Sequence, residues 1–262
     1  MELQCADLDA SVAEHEALGF RIETVLPADA PEVIEMSRGI TRVRLVREAT
    51  PPARDGDWHR GRAGMEYRDL IPDRVGGRVI ASHIRIRAGG PVADYVHFHA
   101  IGFQIIYVRT GWVRLVYEDQ GAAFVMYAGD CVVQPPRIRH RVLEASAGLE
   151  VIEVASPARH ATFADHELVL PTERLAPDRD FGGQRFSLHR AERGPVEDLG
   201  VAAATRGVLA ARVLRGGLTP VARGLRFGFV LAGPGAGDAF VAPADQSVAI
   251  ARGAELLDLV WE

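Results

Sequence analysis

The stretch GGPVADYVHFHAIGFQIIYVRTG, residues Gly89–Gly111, decides how the rest of the chain is interpreted. His97 and His99 stand two residues apart, and side chains two apart on a β-strand point to the same side of the sheet. Gln104 follows five residues after His99, beyond a glycine. The stretch therefore predicts two imidazoles and one amide on neighbouring strands, facing one interior.

A second stretch, AGDCVVQPPRIRHRVLE at residues 128–144, places His140 after a Gly-Asp turn and a Pro-Pro corner. Both stretches lie in a series of short strand patterns separated by Gly, Pro and Asp turns, which is typical of an antiparallel sandwich or barrel. On adjacent strands of a small barrel, three imidazoles and one amide oxygen can converge on a divalent cation. We therefore predict a metal site formed by His97, His99, Gln104 and His140.

The two stretches resemble the two sequence motifs of the cupins. The first motif is a glycine, a His-x-His pair, a glutamate and a later glycine; the second is Gly, five residues, Pro-x-Gly, two residues, His, three residues, Asn. The residues that match are Gly90, His97, His99, Gly111, Gly129, Pro135 and His140. The departures are Gln104 for the glutamate, Arg137 for the second motif's middle glycine and Glu144 for its asparagine.

The resemblance covers about residues 77–156 and implies a mainly β fold, an antiparallel cupin barrel of the double-stranded β-helix or jelly-roll type. Around it we predict a short α+β arm at 1–48, a linker or wrapping segment at 49–76, a second linker at 157–199 and degenerate cupin-like strands at 200–262. The arm resembles the opening of a glyoxalase-type βαβββ module, and acts either as a structural arm or as a ligand-contacting flap.

The C-terminal strands repeat features of the barrel without its histidines. RFGFVLAG at Arg226–Gly233 parallels QIIYVRTG, and GDAFVAPADQSV at Gly237–Val248 parallels GDCVVQPPRIRH. Val248 stands at the final histidine position, and Arg226 stands where Gln104 was. We expect either a degenerate second cupin without a metal or a single cupin with a C-terminal strand extension.

The ligand set predicts the chemistry. Because Gln104 is neutral where cupins carry an anionic glutamate, a divalent zinc, iron, manganese or nickel ion would keep its full charge and act as a strong Lewis acid. This favours redox-neutral isomerisation, ring opening, cyclisation or elimination of a small oxygenated metabolite. The set also resembles that of cupins that open unsaturated uronate rings. The alternatives are an Fe- or Mn-dependent dioxygenase and a non-catalytic small-molecule-binding cupin, and Gln104 could instead bond to a water on the metal.

Three charged residues are candidates for catalysis. Alternation from His140 predicts that Glu144 points inward as an acid/base; otherwise it is a rim carboxylate paired with arginine. Arg85 and Arg87 share one side of a strand and could bind a substrate carboxylate, unless that side is a solvated sheet face. Glu153 is a weaker candidate for the mouth of the pocket.

Composition excludes several classes of protein. The net charge of −5 provides no basic field for nucleic acid or an anionic membrane, and no apolar run is long enough to span a bilayer. Two cysteines are too few for a disulfide scaffold, and the absence of lysine excludes a Schiff base. We expect a cytoplasmic protein with a small-molecule substrate. Outward Phe103, Ile105 and Tyr107 predict a second layer or a homodimer contact.

Overall fold

The computed structural model describes residues 1–48, 58–192, 194–215, 224–246, 248 and 251–261. Strands hold 48% of the chain and helices 9%, which confirms the predicted mainly β class. No helix in these ranges is long and apolar enough to cross a membrane. Parts of the predicted linker at 49–76 and of the predicted repeat at 237–248 lie outside the described residues.

The elements follow one another in four groups. The arm contains β1 (Glu2–Cys5), α1 (Leu8–Ala17), β2 (Arg21–Leu26), β3 (Val33–Arg38) and β4 (Thr41–Arg47). Next come β5 (His59–Arg60), a 3₁₀ turn (Arg62–Gly64), β6 (Glu66–Asp69), the single turn α2 (Arg74–Gly77), β7 (Ile80–Ile86) and β8 (Gly90–Pro91). The central strands are β9 (His97–His99), β10 (Phe103–Thr110), β11 (Trp112–Tyr117), β12 (Phe124–Tyr127), β13 (Cys131–Val133), β14 (His140–Ala145) and β15 (Leu149–Ser156). The last group is β16 (Thr162–Ala164), β17 (Ser187–His189), β18 (Val196–Asp198), α3 (Val201–Ala204), β19 (Leu209–Leu214), β20 (Leu225–Ala232), β21 (Ala239–Pro243) and β22 (Glu255–Trp261).

Two sheets form the barrel that carries the histidines. One contains the neighbours β9-β14-β11-β12, and the other contains β13-β10-β15-β7, so the central strands cross between sheets as in a jelly roll. The inner faces pack against each other through buried aliphatic side chains, among them Val108, Val113, Leu115, Val132 and Val151. This strand order is that of the predicted cupin barrel.

The arm continues one barrel sheet. In the arm β1 pairs in parallel with β4, and the order β1-β4-β3-β2 extends through β16 to β9. Asp7 caps the start of the helix α1, where its Oδ1 accepts from the Ala10 N–H at 3.0 Å. Gly19, with φ of +84°, follows the end of this helix. The arm therefore lies directly beside the strand that carries His97 and His99.

The C-terminal strands form one sheet of five, in the order β18-β19-β22-β20-β21. This sheet covers the outer face of the barrel, where Phe103, Ile105 and Tyr107 pack with Phe227 and Phe229 in one buried cluster. Alternation along β10 explains the division, because its odd-numbered side chains face this cluster and its even-numbered ones face the barrel interior. Of the two expectations for the outward residues, the structure shows a second layer.

The turn between β10 and β11 requires a glycine. Gly111 has a φ of +79°, and a Cβ at this position would collide with the hydroxyl of Ser146. That hydroxyl accepts a hydrogen bond from the Trp112 N–H at 3.0 Å. The glycine at the end of the first stretch therefore has a steric reason, which does not depend on any ligand.

The outer layer stabilises the barrel, and a single aromatic substitution tests this. Phe229 is fully buried between the two layers. We expect Phe229→Ala to lower the free energy of unfolding by about 3–5 kcal/mol, since it removes a ring from a packed core. Urea denaturation measures the change. Tyr127→Ala is the control, because Tyr127 is 59% exposed and should cost less than about 1 kcal/mol; equal effects of the two substitutions would contradict this layer's role.

Candidate metal centre

Three of the predicted ligands meet inside the barrel. His97 and His99 extend from the same face of β9, and His140 on β14 lies opposite His97 in the strand register. One ring nitrogen from each lies within 4.8 Å of the others, and the three residues are at most 7% exposed. The strand alternation predicted from the sequence therefore brings the three imidazoles together.

Each ring is held by a partner on its Nδ1 side. His97 Nδ1 donates to the Tyr95 carbonyl at 2.8 Å, and His140 Nδ1 donates to the Ile138 carbonyl at 3.1 Å. His99 Nδ1 lies 2.8 Å from the Thr162 hydroxyl. Because a carbonyl can only accept, Nδ1 of His97 and His140 carries the hydrogen and their Nε2 atoms keep a lone pair. Such outer contacts orient imidazoles for metal binding.

The rings are neutral at neutral pH. Burial holds the pKa of His97 and His99 well below the usual range; Arg62 adds to the shift of His97, and the neighbouring histidines add to that of His99. Burial also lowers the pKa of His140 to about 4, although its contact with the Ile138 carbonyl opposes the shift. Neutral imidazole is the form that binds a metal.

Arg62 reaches the triad from the 3₁₀ turn that precedes the barrel. Its Nη2 lies 3.0 Å from His97 Nε2, and it forms a buried ion pair with Asp94. Burial alone would lower the pKa of Arg62, but Asp94 together with Tyr67 and Tyr95 raises the pKa above its usual range. Asp94 also accepts from the backbone N–H groups of Tyr95 and Val142, each at 2.9 Å. A permanent cation therefore lies beside the histidines.

The donor set fits a divalent ion. Three neutral nitrogen donors in one buried cluster suit zinc, iron, manganese or nickel. Arg62 competes for the His97 lone pair, so a bound ion requires this guanidinium to exchange that contact. The residues that would hold the ion are His97, His99 and His140.

Gln104, the fourth predicted ligand, is fully buried on the inward side of β10. Its Oε1 accepts from Gln134 Nε2 at 2.7 Å, and Gln134 Oε1 accepts from the Tyr117 hydroxyl at 2.9 Å. Its oxygen is thus committed to a chain of side-chain hydrogen bonds. Ligation of a metal by Gln104 stays a prediction, as does its alternative role of bonding to a water.

A cavity of about 70 Å³ adjoins the triad. A water needs roughly 10–15 Å³ on the same measure, so the cavity accepts a ligand of a few non-hydrogen atoms. Its polar lining consists of Asp29, Arg62, Tyr67, Arg85, His99, Gln134, His140, Glu153 and His160. Isoleucines, leucines and valines form much of the remaining wall.

Glu153 is the carboxyl group inside this cavity with a pKa near neutrality. Burial raises its pKa to about 7, and Asp29 adds to the shift, while Arg62 and Gln104 oppose it. A group poised near neutral pH beside a ligand cavity is suited to transfer protons. The sequence contained a signal for it: β15 reads LEVIEVAS, and Glu153 interrupts the apolar residues on the side that faces inward.

The structure places Glu144 away from the cavity lining. Arg114 pairs with Glu144 and Leu115 with Val142, so β14 contains one extra residue at this point. Such a β-bulge reverses the alternation, and Val142 lines the cavity whereas Glu144 pairs with Arg114 at 3.1 Å. The inward orientation extrapolated from His140 is therefore wrong beyond Val142.

Arg85 and Arg87 lie on β7, whose isoleucines Ile80, Ile84 and Ile86 line the cavity. Arg85 contributes to the lining, but its guanidinium group stacks 3.7 Å from the centre of the Trp58 ring and donates to Glu66. Arg87 also donates to Glu66, and its side chain is 69% exposed.

Sequence reasoning missed Arg62, Asp29 and His160. Arg62 lies in a 3₁₀ turn and the other two in irregular segments, where no strand period indicates which way a side chain points. Arg62 in particular stands among several arginines of the predicted linker. Only the folded chain distinguishes it from its neighbours.

Comparisons with known proteins concern the fold alone. No family model matches the chain, and no curated protein matches it. Among solved structures, a variant of the Bacillus subtilis oxalate decarboxylase shares 13% identity, covering 79% of this chain and 76% of its own, with a TM-score of 0.48. A second oxalate decarboxylase structure, described for its substrate binding mode, has the same identity and coverage and a TM-score of 0.49. By its own strand order, this chain has a cupin fold, and it carries a buried histidine triad that could bind a metal.

Proposed function

We propose that this protein is a metal-dependent enzyme that transforms a small oxygenated carboxylate by redox-neutral chemistry. The observation that supports the proposal is one cavity, beside the histidine triad, whose wall contains His99, His140, the Arg62 cation and Glu153, a carboxyl group of pKa about 7. Isomerisation, ring opening, cyclisation and elimination all need these two functions, a Lewis acid at an oxygen atom and a group that moves a proton.

His97, His99 and His140 would hold the ion. A divalent cation bound by these neutral donors would polarise a carbonyl, hydroxyl or carboxylate of the substrate. The three rings need no protonation change to bind it, because burial keeps them neutral. Their Nδ1 contacts keep them oriented.

Arg62 and Glu153 would have two further roles, which are binding of the anionic substrate and transfer of a proton. Arg62 offers guanidinium N–H groups to an anionic substrate, since this side chain reaches the cavity wall and stays charged. Glu153 lies across the interior on β15 and exchanges protons readily at neutral pH. Much of the surrounding wall is aliphatic, which limits access of water to the reacting atoms.

The metal content of the protein tests whether the three histidines bind a divalent ion. We expect the purified protein to hold about one divalent ion per chain, and His97→Ala and His140→Ala to lose it, because each removes one of three donors. Elemental analysis measures the stoichiometry. His189→Ala is the matched control, since His189 pairs with Glu197 outside the triad. Full metal content in both triad variants would overturn the site.

The pH dependence of stability tests whether Glu153 titrates near neutral pH, as a proton-transferring group requires. Its pKa is about 7 in the folded protein against 4.5 ordinarily, so the folded state holds the proton more tightly and loses stability as pH rises between these values. Between pH 5 and pH 8 we expect the free energy of unfolding of the metal-free protein to fall by about 2 kcal/mol relative to that of Glu153→Gln. Urea unfolding at both pH values measures it. Glu173→Gln, at an exposed position, should show no such trend.

Proton transfer tests the reaction class. Small 2-hydroxy and 2-oxo carboxylates are incubated with zinc-loaded protein under argon in D₂O, and NMR follows replacement of C–H by C–D. We expect exchange without oxygen, and a loss of about 100-fold or more in Glu153→Gln with metal content retained.

Glu144→Gln is the discriminating variant in the same assay. Loss of exchange in this variant, with retention in Glu153→Gln, would favour the assignment made from the sequence. Turnover that requires both oxygen and iron or manganese would point instead to the dioxygenase alternative. Binding of a carboxylate without any exchange or turnover would favour a non-catalytic binding protein.

A further inference from the structure

Two hydrogen-bond acceptors in the cavity wall have no partner among the described residues. They are Oδ1 of Asp29 and Nε2 of His160, and both side chains line the same cavity as His99 and His140. Each residue is only 5% exposed. Leaving two polar atoms unpaired inside a protein is unfavourable, so their position on a cavity wall points to a ligand.

Asp29 comes from the arm, between β2 and β3. Its Oδ2 accepts from Arg74 Nη2 at 2.8 Å, and Arg74 Nε donates to Asp69 at 2.7 Å. Arg74 therefore offsets the charge of Asp29 while leaving Oδ1 directed elsewhere. An acceptor in a charge-compensated pair favours a neutral donor over a second cation.

His160 lies between β15 and β16, next to the triad. Its Nδ1 donates to the Pro157 carbonyl at 2.9 Å, so Nε2 of the neutral ring is an acceptor. The ring stands edge-on to His99, with centroids 5.7 Å apart. The His160 acceptor therefore lies on the same cavity wall as the triad residue His99.

We propose that Asp29 and His160 form a hydroxyl-binding subsite, which selects substrates carrying a hydroxyl group beyond the carbon that is joined to the carboxylate. Acceptor atoms on the cavity wall repel a carboxylate, and an alkyl group would leave them unpaired, whereas a hydroxyl can donate to either. The substrate class is then a polyhydroxy carboxylate, such as a short sugar acid. This inference rests on the proposed function, because that function places the carboxylate end at the metal and Arg62.

Glycerate and lactate provide the probe pair. Both carry a carboxylate and a 2-hydroxyl, so both can bind the metal end, and only glycerate has a 3-hydroxyl. Titration calorimetry on zinc-loaded protein measures the two Kd values. We expect glycerate to bind about tenfold more tightly than lactate. In His160→Phe and in Asp29→Leu the ratio of the two Kd values should fall to about one to two.

Asp69→Asn is the matched control, because Asp69 also pairs with Arg74 but is absent from the cavity lining. It should keep the tenfold ratio. Should Asp29→Leu fail to fold, His160→Phe alone decides. Equal Kd values in the wild type, or a preference that persists in the folded variants, overturn the subsite while the proposed function stands.

The two proposals can fail separately. If the protein takes up no metal, the proposed function falls, and the glycerate preference of the metal-free protein then supports or overturns the subsite by itself. If the zinc-loaded protein binds neither anion, the subsite is overturned together with the carboxylate assignment.

Discussion

Three imidazole rings lie buried against one another in the barrel, and this burial limits how the surrounding strands can pack. Rings removed from water can stay together only if they are neutral and if each polar nitrogen has a partner. The backbone carbonyls of Tyr95 and Ile138 satisfy one nitrogen of His97 and of His140. The remaining lone pairs then point into one region, and the barrel strands that hold them cannot shift in register without separating them.

Charge around this cluster is balanced pair by pair. Asp94 compensates Arg62, and Arg74 compensates Asp29, so each of these two charges on the cavity wall has an oppositely charged partner. Glu153 is the exception, because its neighbours do not suffice to keep it ionised in a buried position. This explains why a carboxyl group rather than a histidine is the group that titrates near neutral pH in the cavity. The histidines are neutral at neutral pH, and neutral imidazole can bind a metal.

Three parts of the chain line the cavity. The barrel contributes His99, His140 and Glu153, the segment before it contributes Arg62, and the arm contributes Asp29. The arm reaches the site because β2 pairs with β16, which pairs with the histidine strand β9. The C-terminal sheet lies on the opposite side of the barrel wall and supports it through packing. A role for the arm as part of the ligand site follows from this arrangement more readily than from its own sequence.

The sequence alone predicts the direction of side chains on regular strands, because that direction alternates from one residue to the next. Alternation along a strand predicts that His97 and His99 share one face and that Gln104 points inward. It also predicts that Phe103, Ile105 and Tyr107 point outward. Tertiary structure decided the rest, because one extra residue in β14 turned Glu144 away and because side chains in irregular segments have no period to reveal their direction. Arg62 and His160 became neighbours of the triad only when distant segments closed around it, a matter of long-range packing that no local pattern encodes.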